Sequence, residues 1–161
     1  MPLRHDSICA VLRYGKQARQ AVAAISYIAQ HHGLVDAKPL SSKQVAEARR
    51  MTPVLAAKLM TEMARAGLLT GSPGPGGGYR LAREPAQITL DEVVRIFEKD
   101  GDSLCPFGPG WCGTGNPCPL HDDFEEIERH THEFLCNTTL EGFAEREPTD
   151  GTVLPSRRRM R

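Results

Sequence analysis

The sequence predicts a mainly α-helical fold that carries one small β-hairpin. Apolar residues recur at helical spacing in several segments, and two of these segments begin with the Ser/Thr-x-x-Glu/Gln spacing of a capping box. A glycine-rich run, Gly71 to Gly78, separates two short apolar stretches, as expected at the tip of a tight hairpin. The 161 residues, 40% of them hydrophobic and 25% charged, are enough for one domain with a buried core.

Two helices are predicted in the first third of the chain. The first covers residues 13–30, where alanine and isoleucine recur every three or four positions, and Gly33 follows at the place of a C-terminal cap. Ser41 stands three residues before Gln44, which is the spacing of a capping box. A second, short helix is therefore predicted from there to about Arg49.

A third helix follows so closely that the pair fits a helix-turn-helix. Thr52 is suited to cap it, and Pro53 is suited to its first position, where a missing N–H costs nothing. The predicted helix covers residues 54–66 and stops at Gly67. About three residues, Arg50 to Thr52, join it to the second helix, a connection typical of helix-turn-helix units.

A hairpin is predicted directly after this helix pair. Residues 68–70 and 79–81 have the character of two short strands, and the glycine-rich run lies between them. The fold class that results is a winged helix-turn-helix, mainly α with a small β-hairpin wing. The alternative is that these helices and the hairpin form only a packing unit that binds no ligand.

The rest of the chain predicts one short and one long helix on either side of an irregular loop. Thr89 and Glu92 have capping-box spacing and open a helix to about Lys99, residues 101–118 are rich in Gly, Pro and Cys, and a long helix covers residues 120–137. The predicted organisation is an N-terminal extension (1–12), a winged-helix domain (13–100), a cysteine-rich loop (101–121), a dimerisation helix region (120–147) and a disordered basic tail (148–161).

Charge is divided unequally between the two halves of the chain. The formal net charge is zero, but residues 1–81 hold 11 Lys and Arg against 4 Asp and Glu, a net charge of +7, and residues 82–161 hold 9 against 16, a net charge of −7. A basic winged helix-turn-helix is suited to contact phosphates, so we interpret the N-terminal half as a unit that binds double-stranded DNA.

The candidate DNA contacts follow from how such units bind. The second helix of the motif lies in the major groove with its N-terminal turns at the base edges, and the hairpin reaches a minor groove. Cations near the turn are expected to neutralise phosphates. The candidates are Ser42, Lys43, Arg49 and Arg50 before the helix, Thr52, Pro53, Val54, Ala56, Ala57, Lys58 and Thr61 on it, and Gly76, Gly77, Gly78, Tyr79 and Arg80 in the hairpin.

Five cysteines and the absence of a long apolar run indicate a reducing, cytoplasmic location. No stretch approaches the ~20 apolar residues of a membrane span, and the first residues lack the apolar core of a signal peptide. An odd cysteine count favours metal or redox chemistry over a disulfide framework. Cys136 is predicted to be a core residue, and Cys9 an idle thiol.

Three of the cysteines lie together in the irregular loop. Cys105, Cys112 and Cys118 follow the pattern C-x6-C-x5-C, and His121 adds an imidazole. Such ligands suit zinc or an iron–sulfur cluster. Structural zinc sites usually have ligands paired two to four residues apart, which this loop lacks, so a cluster is favoured over zinc and over three free thiols.

Taken together, these features resemble the IscR/NsrR family of iron–sulfur winged-helix regulators. The resemblance covers about residues 16–144, and a GPGGGY hairpin followed by three cysteines is a specific combination. The stretches that carry it are ARQAVAAISYIA (18–29), AGLL (66–69), GPGGGYRL (74–81), ITLDEVV (88–94), FLCNTTLEGF (134–143) and the three cysteines. Pro73 departs from the family, which often has a basic residue there, and Ala56 and Ala57 stand where longer polar residues are common.

The resemblance implies a homodimer held by the long helix and a cluster bound by Cys105, Cys112 and Cys118. The C-x2-H spacing of Cys118 and His121 resembles the branch that holds a two-iron two-sulfur cluster. Another branch uses an acidic residue early in the first helix for a four-iron cluster, and Arg19 stands at that position here. The first cysteine spacing is one residue longer than the commonest family pattern.

The expected function is therefore that of a transcription regulator, a repressor in our interpretation, whose affinity for a palindromic operator depends on the cluster. The signal would be redox state, nitric oxide or iron and cluster supply. The alternative is a zinc-binding or cluster-free winged-helix repressor that responds to thiol oxidation or a small ligand. An enzyme is disfavoured because the chain has no C-x-x-C pair, phosphate-binding glycine motif or evident acid–base pair, and a module that binds only proteins leaves the basic half unexplained.

Overall fold

The computed structural model describes residues 15–33, 38–98 and 117–146, so the predictions for residues 1–14, 34–37, 99–116 and 147–161 lie outside it. It is mainly helical with one two-stranded antiparallel hairpin, as predicted. In chain order the elements are α1 (Lys16–Gln30), α2 (Ser42–Ala48), α3 (Pro53–Arg65), β1 (Leu69–Ser72), β2 (Gly78–Leu81), a short 3-10 helix (Pro85–Gln87), α4 (Leu90–Arg95), α5 (His121–Asn137) and α6 (Glu141–Ala144).

The predicted caps form where the sequence places them. Ser41 with Gln44, and Thr89 with Glu92, make complete capping boxes at the starts of α2 and α4. The Thr52 side chain accepts a hydrogen bond from the Leu55 N–H at the start of α3. These bonds satisfy backbone donors that a helix leaves unpaired in its first turn.

The fourth helix is shorter than predicted. It ends at Arg95 rather than near Lys99, and the Phe97 and Glu98 N–H groups that follow share the Val94 carbonyl, in a final turn that tightens from four-residue to three-residue spacing. The carboxylate of Glu92, in the first turn of this helix, accepts hydrogen bonds from both Arg83 and Thr89. Burial tends to raise the pKa of Glu92, but hydrogen bonds from Arg83 and from the Thr89 N–H lower that pKa below its ordinary value, so the box keeps its charge at neutral pH.

Helix α1 forms the centre of the core. It packs against α2, α3, α4 and α6, and four of its five alanines are fully buried (Ala18, Ala21, Ala24 and Ala29), which lets the neighbouring helices approach closely. The large side chains that fill the remaining space are also completely buried; they are Ile25, Val45, Leu59, Met60, Met63, Ile88, Val93 and Leu140.

Helix α5 lies at the edge of this core and is attached to it at its C-terminal end. Leu135 is its one buried residue. Beyond it, the Leu90 N–H bonds the Thr138 carbonyl at 2.9 Å, and the Leu140 N–H bonds the Ile88 carbonyl at 3.0 Å, which ties the chain after α5 to the start of α4. Cys136 does not belong to the core as predicted. It is only half-buried, and its Sγ lies 3.6 Å from His132 Nε2 on the same helix.

No helix in the part of the chain that the structure describes is both long and apolar enough to span a bilayer.

Candidate nucleic-acid interface

The N-terminal end of α3 is exposed to solvent. Arg50, in the turn between α2 and α3, adopts a left-handed backbone conformation with φ of 51°, and the Met51 N–H returns to the Ala46 carbonyl at 2.9 Å. The turn leaves Thr52 and Pro53 exposed, and the Val54 side chain is 81% exposed. An apolar side chain so open at a helix start is suited to contact a thymine methyl group.

The exposed face of α3 continues through the next two turns. Lys58 is exposed one turn after Val54, and Ala57 beside it is half-buried. Thr61 is turned towards the hairpin, since its hydroxyl donates to the Ala57 carbonyl at 2.8 Å and lies 3.4 Å from the Tyr79 hydroxyl. Ala56 is completely buried. The prediction that Ala56 contacts DNA is therefore wrong, because this position belongs to the core face of the helix.

Arg49 is directed into the protein rather than towards a phosphate. Its guanidinium lies 4.9 Å from the centre of the Tyr27 ring, donates from Nε to the Ala23 carbonyl and donates from Nη2 to the Gln30 amide oxygen, both at 2.9 Å. Burial lowers the pKa of Arg49 below its ordinary value, although the Tyr27 ring hydroxyl acts in the opposite direction. This geometry does not support the phosphate contact predicted for Arg49, because the side chain is committed to α1.

Replacement of Arg49 by alanine is expected to lower the free energy of unfolding by about 2–3 kcal/mol, because it leaves two partly buried acceptors without their charged donor. Urea denaturation at fixed protein concentration measures the effect. Lys43→Ala, an exposed cation on the adjoining helix, is the control and should change stability by less than about 0.5 kcal/mol. Equal stabilities of the two variants would contradict the role assigned to Arg49.

The hairpin is fixed to the start of α2 by backbone contacts. Leu40 and Tyr79 exchange two hydrogen bonds, at 3.0 and 2.8 Å. A Cβ at Gly78 would lie 2.6 Å from the Leu40 carbonyl, and one at Gly77 would collide with the Ser72 carbonyl oxygen, so both positions require glycine. Gly78 is needed because the wing meets the chain before α2 through bare backbone, and Gly77 because the hairpin turn closes tightly on itself.

The predicted hairpin contacts divide into two groups. Gly76 and Arg80 are exposed, and the former has a φ of 77° at the tip of the turn. Gly77, Gly78 and Tyr79 are half-buried and lie in the turn and the adjoining start of β2. Of the predicted hairpin contacts, Gly76 and Arg80 are thus the ones that face solvent.

Exposed cations surround α3. They come from three different elements: Lys43 on α2, next to the half-buried Ser42, Arg50 in the turn, and Arg80 on β2, together with Lys58 on α3 itself. A surface of this kind attracts a polyanion, and its affinity depends on salt.

Two of the four predicted metal ligands are described, and they lie at the start of α5. Cys118 is buried just before the helix, and His121 is its first residue and half-buried. The His121 N–H donates to the Cys118 carbonyl at 3.0 Å, so one turn of chain carries both residues. A thiol and an imidazole on one turn fit the ligand chemistry of an iron–sulfur cluster or zinc. Cys105 and Cys112 lie outside the described residues.

A row of exposed apolar side chains runs along α5. Leu120, Ile127 and Phe134 are seven residues apart and are 44%, 37% and 51% exposed. Apolar residues at heptad spacing on an exposed helix are typical of a helix that pairs with another helix. We call these three residues the α5 stripe.

Comparison with known proteins identifies regulators of transcription. The family model Rrf2, described as an iron-dependent transcriptional regulator, matches residues 14–146. The transcriptional regulator IscR of Vibrio cholerae is 27% identical over 129 residues, which cover 80% of this chain and 73% of that protein. These names describe regulatory proteins and not enzymes.

Solved structures share the fold. CymR of B. subtilis, described as the global cysteine regulator, superposes with a TM-score of 0.66 at 26% identity, covering 83% of this chain and 96% of that one. IscR of T. potens superposes with a TM-score of 0.62 at 27% identity, covering 80% and 83%.

Proposed function

Because the chain belongs to the Rrf2 family of transcriptional regulators, we propose that it binds a palindromic operator as a homodimer, and that a metal centre held by its cysteine-rich loop sets its affinity for that operator. The observation that carries the proposal is the solvent exposure of the N-terminal end of α3. Val54 is 81% exposed there, and nothing in the described fold covers it.

Each exposed group has a role in this proposal. Helix α3 enters the major groove, where Thr52, Pro53, Val54, Ala57 and Lys58 face the base edges and Thr61 supports the helix against the wing. Lys43 and Arg50 lie against phosphates, and Ser42 stands beside them at the start of α2. The wing tip, at Gly76, and Arg80 reach the adjoining minor groove.

Replacement of Lys58 by alanine is expected to weaken DNA binding about tenfold and to reduce the slope of log affinity against log salt by about 0.9, as the loss of one cation at the interface requires. Fluorescence anisotropy with a duplex that the protein selects from random DNA measures both quantities. Arg65→Ala is the matched control, since Arg65 is on the same helix but at its other end, paired with Glu62 at 2.9 Å. If both variants bind as the parent does, α3 is not the reading helix.

The α5 stripe supports the dimer. Pairing of two such helices would cover three apolar side chains that the described fold leaves open. The two copies of α3 would then be presented to half-sites about one helical turn apart, ~34 Å. This arrangement requires an operator with approximate two-fold symmetry.

The metal centre we propose is an iron–sulfur cluster, of the two-iron two-sulfur type, held by Cys105, Cys112, Cys118 and His121. When bound, such a cluster supplies a centre that reacts with oxidants and nitric oxide. The chain's own contribution is position: Cys118 and His121 lie where α5 begins, so a change in their environment acts on the helix that carries the stripe. At its other end α5 is held to α4 through Thr138 and Leu90.

A second candidate is a winged-helix repressor that uses zinc, thiol oxidation or a small ligand in place of a cluster. The B. subtilis neighbour favours this second candidate, because a protein of the same fold is described as a global cysteine regulator and not by reference to iron. Iron, sulfide and zinc analysis of anaerobically isolated protein separates the two candidates.

A further inference from the structure

A thiol, an imidazole and a carboxylate meet where α5 packs on α4. His132 and Cys136 are four residues apart on α5, so both side chains lie on one face of that helix. The Cys136 Sγ lies 3.6 Å from His132 Nε2 and 3.8 Å from His132 Nδ1, and this Nδ1 lies 3.6 Å from Asp91 Oδ1 on α4. One ligand atom from each of the three residues lies within 4.8 Å of the other two.

These separations are close to those between the ligands of one tetrahedral zinc ion. Typical zinc–ligand bonds at tetrahedral angles place sulfur about 3.6 Å from nitrogen and nitrogen about 3.4 Å from oxygen. The corresponding distances through His132 Nδ1 are 3.8 and 3.6 Å. The third separation, from the Cys136 Sγ to the Asp91 carboxylate, is within 4.8 Å, so binding requires the three side chains to close around the ion.

The carboxylate is already oriented for such a role. The Asp91 side chain is 15% exposed, and its Oδ2 forms an ion pair with Arg95 Nε at 2.9 Å, while Oδ1 faces His132. Carboxylates that bind metals are commonly held in place by a second polar partner. The contact between Asp91 and His132 does not by itself explain why the Cys136 thiol lies beside the same imidazole.

We propose that Asp91, His132 and Cys136 bind Zn²⁺ at the junction of α4 and α5, with water as the fourth ligand. The mixture of thiolate, imidazole and carboxylate suits zinc, whereas Mg²⁺ and Ca²⁺ prefer oxygen ligands alone. Binding transfers the thiol proton of Cys136 to solvent, and His132 binds as the neutral imidazole. Zinc at this position links the dimerisation helix to the winged-helix core.

The site is separate from the cysteine-rich loop. His132 follows His121 by 11 residues on one helix, a distance of about 16 Å along its axis. The inference does not rest on the proposed cluster or on DNA binding, so it stands or falls independently of both.

Titration with Co²⁺, a spectroscopic probe for zinc, tests the proposal in a full-length variant whose loop thiols are removed (Cys105→Ser, Cys112→Ser and Cys118→Ser). One Co²⁺ per chain is expected, with the visible bands of tetrahedral coordination, a thiolate-to-cobalt transition, and displacement by Zn²⁺. Further substitution of His132→Ala or Cys136→Ser should weaken binding at least about tenfold. His130→Ala, which removes an exposed histidine from the same helix, is the control and should leave binding unchanged. Absence of Co²⁺ binding, or equal binding without His132, overturns the proposal.

A second measurement uses the unmodified chain and applies if the triple variant does not fold. The rate at which iodoacetamide alkylates Cys136 is followed by peptide mass spectrometry with and without added Zn²⁺. Zinc is expected to slow alkylation at least about tenfold, since the thiolate is then bound, and Asp91→Asn is expected to abolish this protection. Equal rates with and without zinc would contradict the site.

Discussion

Replacement of Ile127 by glutamate is expected to convert the protein from a dimer to a monomer and to weaken operator binding at least about a hundredfold, because linking two reading units raises avidity by 10²–10⁴. Ile127 is the middle member of the α5 stripe, between Leu120 and Phe134. A charge there would be buried without a partner when two helices pair, which costs several kcal/mol. The folded monomer should tolerate it, because the position is open to solvent.

Sedimentation analysis and operator titration measure the two effects on the same sample. Ile127→Leu is the matched control, since it keeps an apolar side chain of equal volume, and it should remain dimeric and bind normally. Circular dichroism should show the same helix content in all three proteins. If the glutamate variant sediments as a dimer, the α5 stripe is not part of the dimer interface.

Replacement of Cys112 by alanine is expected to reduce bound iron and sulfide to background and to make operator affinity insensitive to oxidant. The residue is the middle thiol of the three in the loop, and an iron–sulfur cluster that loses one of its protein ligands is not retained stably. The effect on regulation should be large, because a switch between mostly bound and mostly free operator needs about 5.5 kcal/mol between the two states.

Elemental analysis and visible absorbance after anaerobic isolation measure the loss of the centre, and operator titration with and without oxidant measures the loss of response. Cys9→Ser is the control, because Cys9 lies in the predicted N-terminal extension, outside the cysteine-rich loop. It should keep its iron and its response. If Cys112→Ala still responds to oxidant as the parent does, the loop is not the sensor.

The sequence predicts most of the fold because its signals are local. The capping boxes at Ser41 and Thr89, the Thr52–Pro53 start of α3 and the glycine-rich wing each depend on residues within one turn of one another. Such short-range chemistry can be read without knowledge of the neighbours in space. The face of α3 that meets solvent follows from the same periodicity, except at Ala56.

The remaining features depend on contacts between distant segments. Arg49 stands next to a helix-turn-helix, where a cation is expected to contact DNA. Its guanidinium instead contacts residues of α1 that are 19 to 26 positions away: the Ala23 carbonyl, the Tyr27 ring and the Gln30 amide oxygen. The junction of Asp91 with His132 and Cys136 likewise arises only when α5 packs on α4. Neither Asp91 nor the α1 partners of Arg49 can be identified from spacing along the chain. The one local signal is the four-residue separation of His132 and Cys136, which places both on one helix face.

The most direct test of the account compares operator affinity in one anaerobic preparation before and after its metal is removed with a chelator. We predict that the untreated protein contains iron and sulfide, that the two forms differ at least about tenfold in affinity for the selected operator, and that reconstitution with iron and sulfide restores the first value. An iron-free preparation, or identical affinities before and after chelation, would contradict the claim that a metal centre governs the reading of DNA.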